Sequence, residues 1–404
     1  MGRSAPCGNR NAAKPASHKR TTRILTQNAR ALIVPRETRA TDVRVGSMCF
    51  PHSRERHSRY ARRLNAADRD DKLLRPATLK IMRVLILHSD VPPDAPPDDQ
   101  DTILQAMAIR STLLELGHEP TCVVFTPDPG ALEAIIAREC PDVVFNLVEV
   151  VWGRGLYAPL APQMLSQLGV PFTGAQAAAI AVCGDKILSK RLLKGAGLPT
   201  PDWSEPPHWQ GIGAGRWIVK SVSEDASLGL DDDAVVAGRD AVVARAQSSA
   251  ARHGGHWFAE RYIEGREFNV ALIEKNGVPS MLPIGEMTFN QWDDNRPRII
   301  GYAAKWDEAA ADYRDTTRVF AWSEREPGLR EALERLSKQC WALFGLTGYA
   351  RVDFRVDAHG HPFILEINPN PCLEPNAGVA AAAEQASLPY AALIDDIIRA
   401  ALHG

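Results

Sequence analysis

The stretch Tyr349–Leu373, YARVDFRVDAHGHPFILEINPNPCL, decides how this chain is read. It has the pattern of two strands around a tight turn, with Arg351, Asp353, Glu366 and Asn368 at alternating positions. Side chains two apart in a strand share a face. Arg351 and Asp353 therefore point one way on the first strand, and Glu366 and Asn368 point together on the second. A hairpin closed around Asp357–Pro362 sets Asp353 opposite Glu366 and Arg351 opposite Asn368. The other face is apolar, with Val352, Phe354 and Val356 followed by Phe363, Leu365 and Ile367. It is expected to pack on a core, and Pro369, Asn370 and Pro371 stop the second strand. Two carboxylates and an amide oxygen beside a guanidinium make a hard oxygen site. Such a site suits Mg²⁺ with positions left for phosphate oxygens, which points to an enzyme that uses ATP. An edge hairpin with a solvated polar face is the alternative, and the apolar opposite face argues against it.

Outward from the hairpin, the chain divides by charge. Residues 1–80 hold 19 Lys and Arg against 6 Asp and Glu, while the other 324 hold 28 against 43. The first segment, 1–81, lacks sustained apolar periodicity and reads as a disordered basic leader. Three readings are open for it: an organelle transit peptide, a nucleic-acid-binding arm, or upstream sequence translated from a misassigned start. The clean strand beginning at Met82 (MRVLIL) favours the last. The leader has only Phe50 and Tyr60 as aromatics and no recognisable binding fold, which speaks against a nucleic-acid partner. No stretch is long and apolar enough to cross a membrane. The seven cysteines show no CxxC spacing and mostly sit among apolar residues, as expected of reduced core thiols in a cytoplasmic protein.

From Met82 the pattern alternates strand and helix: Val84–Leu87, Gln100–Leu116, Thr121–Phe125, Pro129–Glu139, Asp142–Leu147. This order implies a parallel sheet with helices on its faces; a helix at Leu160–Leu168 and a strand at Pro171–Thr173 follow. Asp185–Gly197 reads as a basic amphipathic helix, and prolines 199, 201, 206 and 207 mark a linker. A second unit has strands near Trp217–Lys220, His256–Tyr262 and Phe268–Glu274, with a helix at Ala234–His253. The last unit has a strand at Met281–Glu286, a helix at Gly328–Phe344, the hairpin, and a closing helix at Leu388–Leu402.

Three lysines stand where phosphates could be handled. Lys220 ends an apolar strand before the small-residue loop Ser221–Gly229, which includes Ser227 and can offer backbone N–H groups to phosphates. It is not a Walker A loop. Lys186 starts its helix, where a cation is unfavourable without an anion nearby. Lys305 lies between aromatics in Gly301–Asp307 (GYAAKWD). Glu260, Arg261, Tyr262 and Ile263 run out of a strand toward Glu267, a segment whose backbone can meet an adenine edge and whose acid can meet ribose hydroxyls. Each of these has a bland local alternative, a surface turn or a solvated charge.

In order and spacing, DKILSKRLLKGAGLPTP, WIVKSVSEDASLG, FAERYIEGREFNVALI, YAAKW and RVDFRV…FILEINPNP resemble the ATP-grasp superfamily and, within it, the D-alanine–D-alanine ligases. The similarity runs from Met82 to the C-terminus. It implies a mixed α/β and α+β architecture: an N-terminal α/β domain (82–184), a central α+β subdomain (185–275) and a C-terminal α+β subdomain (276–404) carrying the hairpin. It also implies an ATP-dependent ligase that joins a carboxylate to an amine through an acylphosphate. Lys186, Lys220, Ser227 and Lys305 would then contact ATP phosphates. Glu260, Arg261, Tyr262, Ile263 and Glu267 would hold adenosine. Asp353, Glu366 and Asn368 would bind two Mg²⁺, with Mn²⁺ able to serve in their place, and Arg351 would stabilise the transition state. A homodimer is what the resemblance suggests.

The departures from the family lie at the substrate end. The family has a Gly-Gly-x-Ser turn and a Glu after its first strand, where this chain has the acidic, Pro-rich Ser89–Gln100. Pro369-Asn370-Pro371-Cys372 replaces Thr-x-Pro-Gly, and Ala377 stands near the place of a serine that binds the second substrate's carboxylate. Glu224-Asp225-Ala226-Ser227 replaces Glu-Gly-Ser-Ser, and Asn146-Leu147-Val148-Glu149 replaces a His-Gly motif. The substrates are therefore either D-alanine or another amino acid, peptide or small carboxylic acid with its amine partner.

Overall fold

The computed structural model describes residues 81–403, so the three readings of the basic leader fall outside the described residues. Strands β1 (Arg83–His88), β2 (Glu119–Val124) and β3 (Val143–Leu147) form the expected parallel sheet, in the order β2-β1-β3. Helices Pro97–Glu115 and Pro129–Glu139 are its crossovers, and Asp128 caps the second by accepting from the Ala131 N–H at 3.0 Å. β1 and β3 are buried almost throughout because helices cover both faces. The stretch at Pro171–Thr173 adds only a bridge from Phe172 to Val144.

The second sheet has the order β4-β7-β5-β6, from β4 (Trp203–Ser204), β5 (Arg216–Ser221), β6 (Val235–Ala237) and β7 (Trp257–Arg261). The helix expected from Ala234 begins only at Arg239. Val235 and Val236, β-branched and paired with β5, take the strand instead. Val242 and Ala246 of the helix pack on Trp217, Val219, Trp257 and Ala259.

The third sheet is antiparallel and six-stranded. It contains β8 (Arg266–Lys275), β9 (Val278–Met281), β10 (Gly285–Phe289), β11 (Thr316–Val319), β12 (Tyr349–Val356) and β13 (Pro362–Asn368). The path runs β11-β10-β8-β12-β13, with β9 also on β8. The strand expected at Met281–Glu286 is split in two, since Pro283 between the pieces has no N–H for a ladder. β8 pairs with β12 from Arg266–Val356 to Ile273–Tyr349. β8 thus joins the sheet of β12 and β13, finding its partner far along the sequence.

Two layers cover this sheet. Helix Pro327–Phe344 turns Leu333, Leu336, Cys340, Trp341 and Phe344 onto Phe268, Val270, Val352, Phe354 and Val356. On the other face Ala271, Ile273 and Tyr349 join β1, β3 and helix Tyr390–His403 in a second core. That second face continues along β12 to Arg351 and Asp353. No helix among the described residues is long and apolar enough to cross a membrane. The five described cysteines are free, with Cys183 and Cys340 buried. Cys122 and Cys140 are exposed rather than in a core, since each sits on a border of the parallel-sheet unit.

Candidate active site

The hairpin forms in the expected register: Asp353 faces Glu366 and Arg351 faces Asn368. It does so through a β-bulge. Phe354 pairs with Ile364, so Leu365 is the extra residue that brings Glu366 level with Asp353. The bulge also corrects the expected apolar face. Ile364 and Ile367 are buried, whereas Phe363 and Leu365 are only partly so.

Arg351 donates from Nε and Nη2 to the two Asp353 oxygens at 2.8 and 2.9 Å. Asn269 of β8 adds a third hydrogen bond to Asp353 Oδ1 at 2.7 Å. Burial opposes the Arg351 charge, but Asp353 and Glu366 outweigh it and hold the guanidinium above its usual range. Asn368 Oδ1 accepts from the Asn370 N–H at 3.0 Å.

Glu366 is different. No hydrogen bond or ion pair reaches its carboxylate among the described residues. Burial would raise its pKa, yet Lys186, Lys220, Lys305 and Arg351 together bring it down to about 2. Glu366 is thus an ionised carboxylate on which four cations act, none of them in contact with it.

The three predicted lysines converge here. Lys186, 7 % exposed, donates to Glu224 O at 3.0 Å and to Asp225 Oδ1 at 2.6 Å, tying its helix to the loop after β5. Burial works against its charge, but Asp225 and Glu366 raise its pKa. Lys220 donates to Glu260 Oε1 at 3.0 Å. The Lys305 ammonium has no such partner among the described residues, and burial and Arg351 lower its pKa. Ser227 donates to Ile300 O at 2.8 Å, and Trp306 Nε1 donates to Ala226 O at 2.9 Å. These bonds hold the loop against the segment that carries Lys305.

Glu260, Arg261, Tyr262 and Ile263 leave β7 as one connecting segment toward Glu267 at the start of β8. Arg261 is exposed and Ile263 half-buried. Tyr262 is buried, and its hydroxyl accepts from the Arg298 N–H at 2.9 Å. Glu267 lies 3.4 Å from Arg355; burial raises its pKa, Arg355 opposing and Asp353 adding. Glu260, only 1 % exposed as a residue, shares its carboxylate between Lys220 and Lys190. Burial would raise its pKa, but the two lysines keep it ionised.

Sequence reasoning missed Lys190, Arg355 and Arg318. Lys190 also donates to Thr200 Oγ1 at 2.9 Å, and Thr200 donates to Ile364 O at 2.8 Å, linking the pair to β13. Its signal was position: Lys186, Ile187, Lys190 and Leu193 form the buried stripe of the helix Lys186–Gly195. Arg355 donates to Gly265 O at 2.8 Å and to the carbonyl of Arg298, bracing the connecting segment.

The substrate end is acidic. Gln105 donates to Glu149 Oε1 at 3.3 Å and accepts from the Leu373 N–H at 2.8 Å. Tyr302 donates to Asp98 Oδ1 at 2.7 Å, and Cys372 Sγ donates to Asp101 Oδ2 at 3.0 Å. Burial and then Asp101 raise Glu149 to about 8. Burial likewise raises Asp99 and Asp101. Ser89 Oγ accepts from the Glu149 and Val150 N–H groups at 3.0 and 3.1 Å, so the loop after β1 is pinned to the loop after β3.

The hairpin fits a hard divalent cation. Among the described residues no three His, Cys, Asp or Glu side chains are placed to hold a metal ion together; the hairpin set is two carboxylates and an amide. Glu366 is ionised and free. Asp353 has three of about four lone-pair sites used, and Asn368 Oδ1 has one of two used. That leaves open oxygen sites on two paired strands, a donor set suited to Mg²⁺ when substrate phosphates complete its shell.

Residues 216–399 match the family model described as D-ala D-ala ligase C-terminus. The D-alanine–D-alanine ligase of Laribacter hongkongensis is 32% identical over 245 residues, 59% of this chain and 72% of that protein. The D-alanine–D-alanine ligase of Albidiferax ferrireducens is 28% identical over 243 residues, 58% of this chain and 65% of that protein, so the match spans just under two thirds of its length. Among solved structures, the Bacillus anthracis D-alanine–D-alanine ligase complexed with ATP superposes with a TM-score of 0.61 at 20% identity. It covers 80% of this chain and 97% of its own. That likeness is one of fold.

Proposed function

This chain belongs to the D-alanine–D-alanine ligase family, and we propose that it is an ATP-dependent carboxylate–amine ligase of the ATP-grasp kind that works through an acylphosphate. One observation carries the proposal: Glu366, ionised and uncontacted, faces Asp353 with four cations acting on it. Cations gathered in this way suit the triphosphate tail of ATP. Lys186, Lys220 and Lys305 hold the phosphates, with Ser227 and the loop around it closing over them. The Arg261–Ile263 backbone and Glu267 hold adenosine. Glu260 acts through Lys220, since both its oxygens serve lysines. Asp353, Glu366 and Asn368 would hold Mg²⁺, which when bound neutralises phosphate charge.

In the first step a substrate carboxylate oxygen attacks the γ-phosphorus and the bond to the bridging oxygen breaks, releasing ADP. In the second, the amine attacks the acyl carbon and loses a proton, and the acyl C–O bond breaks to release phosphate. The lysines and Arg351 stabilise charge on the transferring phosphoryl, and Arg351 stabilises the tetrahedral oxyanion. Free thiols fit a reducing compartment such as the cytoplasm.

The substrate end favours a pair other than two D-alanines. Asp98, Asp99, Asp101 and Glu149 form a wall suited to an amine-bearing donor, and Ala377 offers no hydroxyl to a carboxylate. The test is ADP release with Mg²⁺-ATP across D-alanine, other amino acids and small carboxylates, with Glu366→Gln in parallel. Turnover should fall at least about 100-fold in the variant. Turnover with D-alanine alone would restore the family's usual substrate. No Glu366-dependent ADP release with any pair would overturn the ligase mechanism.

A further inference from the structure

Arg318 is the guanidinium in this region that sequence and family leave unassigned. It sits on edge strand β11, paired with Met287 of β10, which in turn pairs with Glu267 of β8. Two rows on, Gly285 pairs with Asn269, and Asn269 with Asp353. Side chains two apart share a face, so Arg318 rises on the same face as Asn269, Arg351 and Asp353. Its stem crosses β10 where Gly285 has no side chain: a Cβ there would stand 2.9 Å from Arg318 Cδ and 3.0 Å from Cγ. The guanidinium ends at the start of helix Gly378–Gln385, with Nη2 3.5 Å and Cζ 3.7 Å from where a Gly378 Cβ would be.

Among the described residues no side chain contacts this charge, and Asp353 alone favours it, from beyond ion-pair distance. Arg318 Nε is shut off from solvent without a hydrogen-bond partner, and no ion pair reaches the guanidinium. Burial and Arg351 both press against its charged form. The helix it points at has Ala377 at its N-cap, with no side-chain cap. Its first N–H groups therefore lack the oxygen a Ser or Asp would supply. An unpaired guanidinium and an uncapped eight-residue helix meet at one point, with Arg351 beyond. Arg318 feels Arg351 and Asp353, whereas the charges that act on Glu366 are the three lysines and Arg351.

We infer that Arg318, with the N-terminus of helix Gly378–Gln385, seats a carboxylate carried by the amine substrate, and so sets which amines are accepted. The inference rests on the ligase reading and deepens it. Arg318 takes over the task for which Ala377 has no hydroxyl.

The test separates the two half-reactions. Hydroxylamine traps the acylphosphate as a hydroxamate and carries no carboxylate, so it reports the ATP half alone. Acceptor turnover is then compared for amino acids and their amides, such as D-alanine against D-alaninamide and glycine against glycinamide. Wild type should prefer the acid by about 100-fold or more in kcat/KM. In Arg318→Ala that preference should fall to within a few-fold, while hydroxamate formation falls no more than a few-fold. Arg318→Lys should keep part of the preference. Gly285→Ala keeps the guanidinium but displaces its stem, and should lose preference as well. An unaltered acid preference in Arg318→Ala would overturn the inference, and so would equal loss of hydroxamate formation, which would place Arg318 on phosphate instead. If no acid yields a hydroxamate, the ligase reading fails. Calorimetry of glycine against glycinamide on the ADP complex then decides the carboxylate seat, with equal binding of the two to wild type refuting it.

Discussion

Replacing Lys190 with Met tests whether the buried Lys190–Glu260–Lys220 group positions the phosphate lysine. The Lys190 and Glu260 side chains are 1 % and 2 % exposed, and that of Lys220 is 14 % exposed. At the 3.0 Å of the Lys220–Glu260 contact, an effective dielectric of about 20 gives an attraction of about 5.5 kcal/mol per pair. Lys190→Met removes one such contact but also removes the cost of burying an ammonium. Breaking a buried pair from one side costs about 3–5 kcal/mol. Lys220 still answers Glu260, so the loss should lie near about 3 kcal/mol. Glu260, left to one lysine, should also draw Lys220 back from the phosphates and raise KM for ATP about tenfold. The double variant Lys190→Met/Glu260→Leu should recover stability to within about 1 kcal/mol of wild type, but not KM, because Lys220 then has no anchor. Urea unfolding and steady-state kinetics read both effects. Wild-type stability in Lys190→Met within about 0.5 kcal/mol, or a double variant weaker than the single, would refute the reasoning.

Gly265 joins the adenosine segment to β8 at φ 145°, and a Cβ there would run into the Val356 carbonyl oxygen. Gly265→Ala should cost about 3 kcal/mol or more, from backbone strain and overpacking together. A denaturation midpoint equal to wild type would contradict this. Burial and Asp101 place Glu149 near 8, so folding favours its protonated form. That contribution is fully present below about 4.5 and is lost as pH rises through about 8. Melting temperatures at pH 6 and pH 9 should therefore fall less for Glu149→Gln than for wild type; parallel slopes would show that Glu149 ionises freely.

The hairpin was legible because its polar residues recur every second position, so Asp353, Glu366, Arg351 and Asn368 could be paired before any coordinates. The bulge was not. Phe363, Ile364, Leu365 and Ile367 are all apolar, and period two cannot say which of them is the extra residue. The pairing of β8 with β12, about 80 residues away, was not legible, because local pattern carries no trace of that choice. Lys190 was hidden by its own charge: a basic helix reads as solvated until the buried stripe that contains its lysines is seen. Arg318 was hidden by length. Thr316–Val319 is a four-residue edge strand in a stretch that offers no alternation long enough to read, and its reach depends on Gly285, about 30 positions earlier.

The central claim is that this site transfers the γ-phosphoryl group of ATP to a carboxylate. It is tested most directly with a donor acid labelled with ¹⁸O in its carboxyl group, followed by ³¹P NMR of the released phosphate. An acylphosphate delivers one labelled oxygen from each donor to inorganic phosphate, with ADP as the other product. Labelled phosphate in wild type, absent with Glu366→Gln, is the predicted result. Unlabelled phosphate, or label appearing in AMP with release of pyrophosphate, would contradict it.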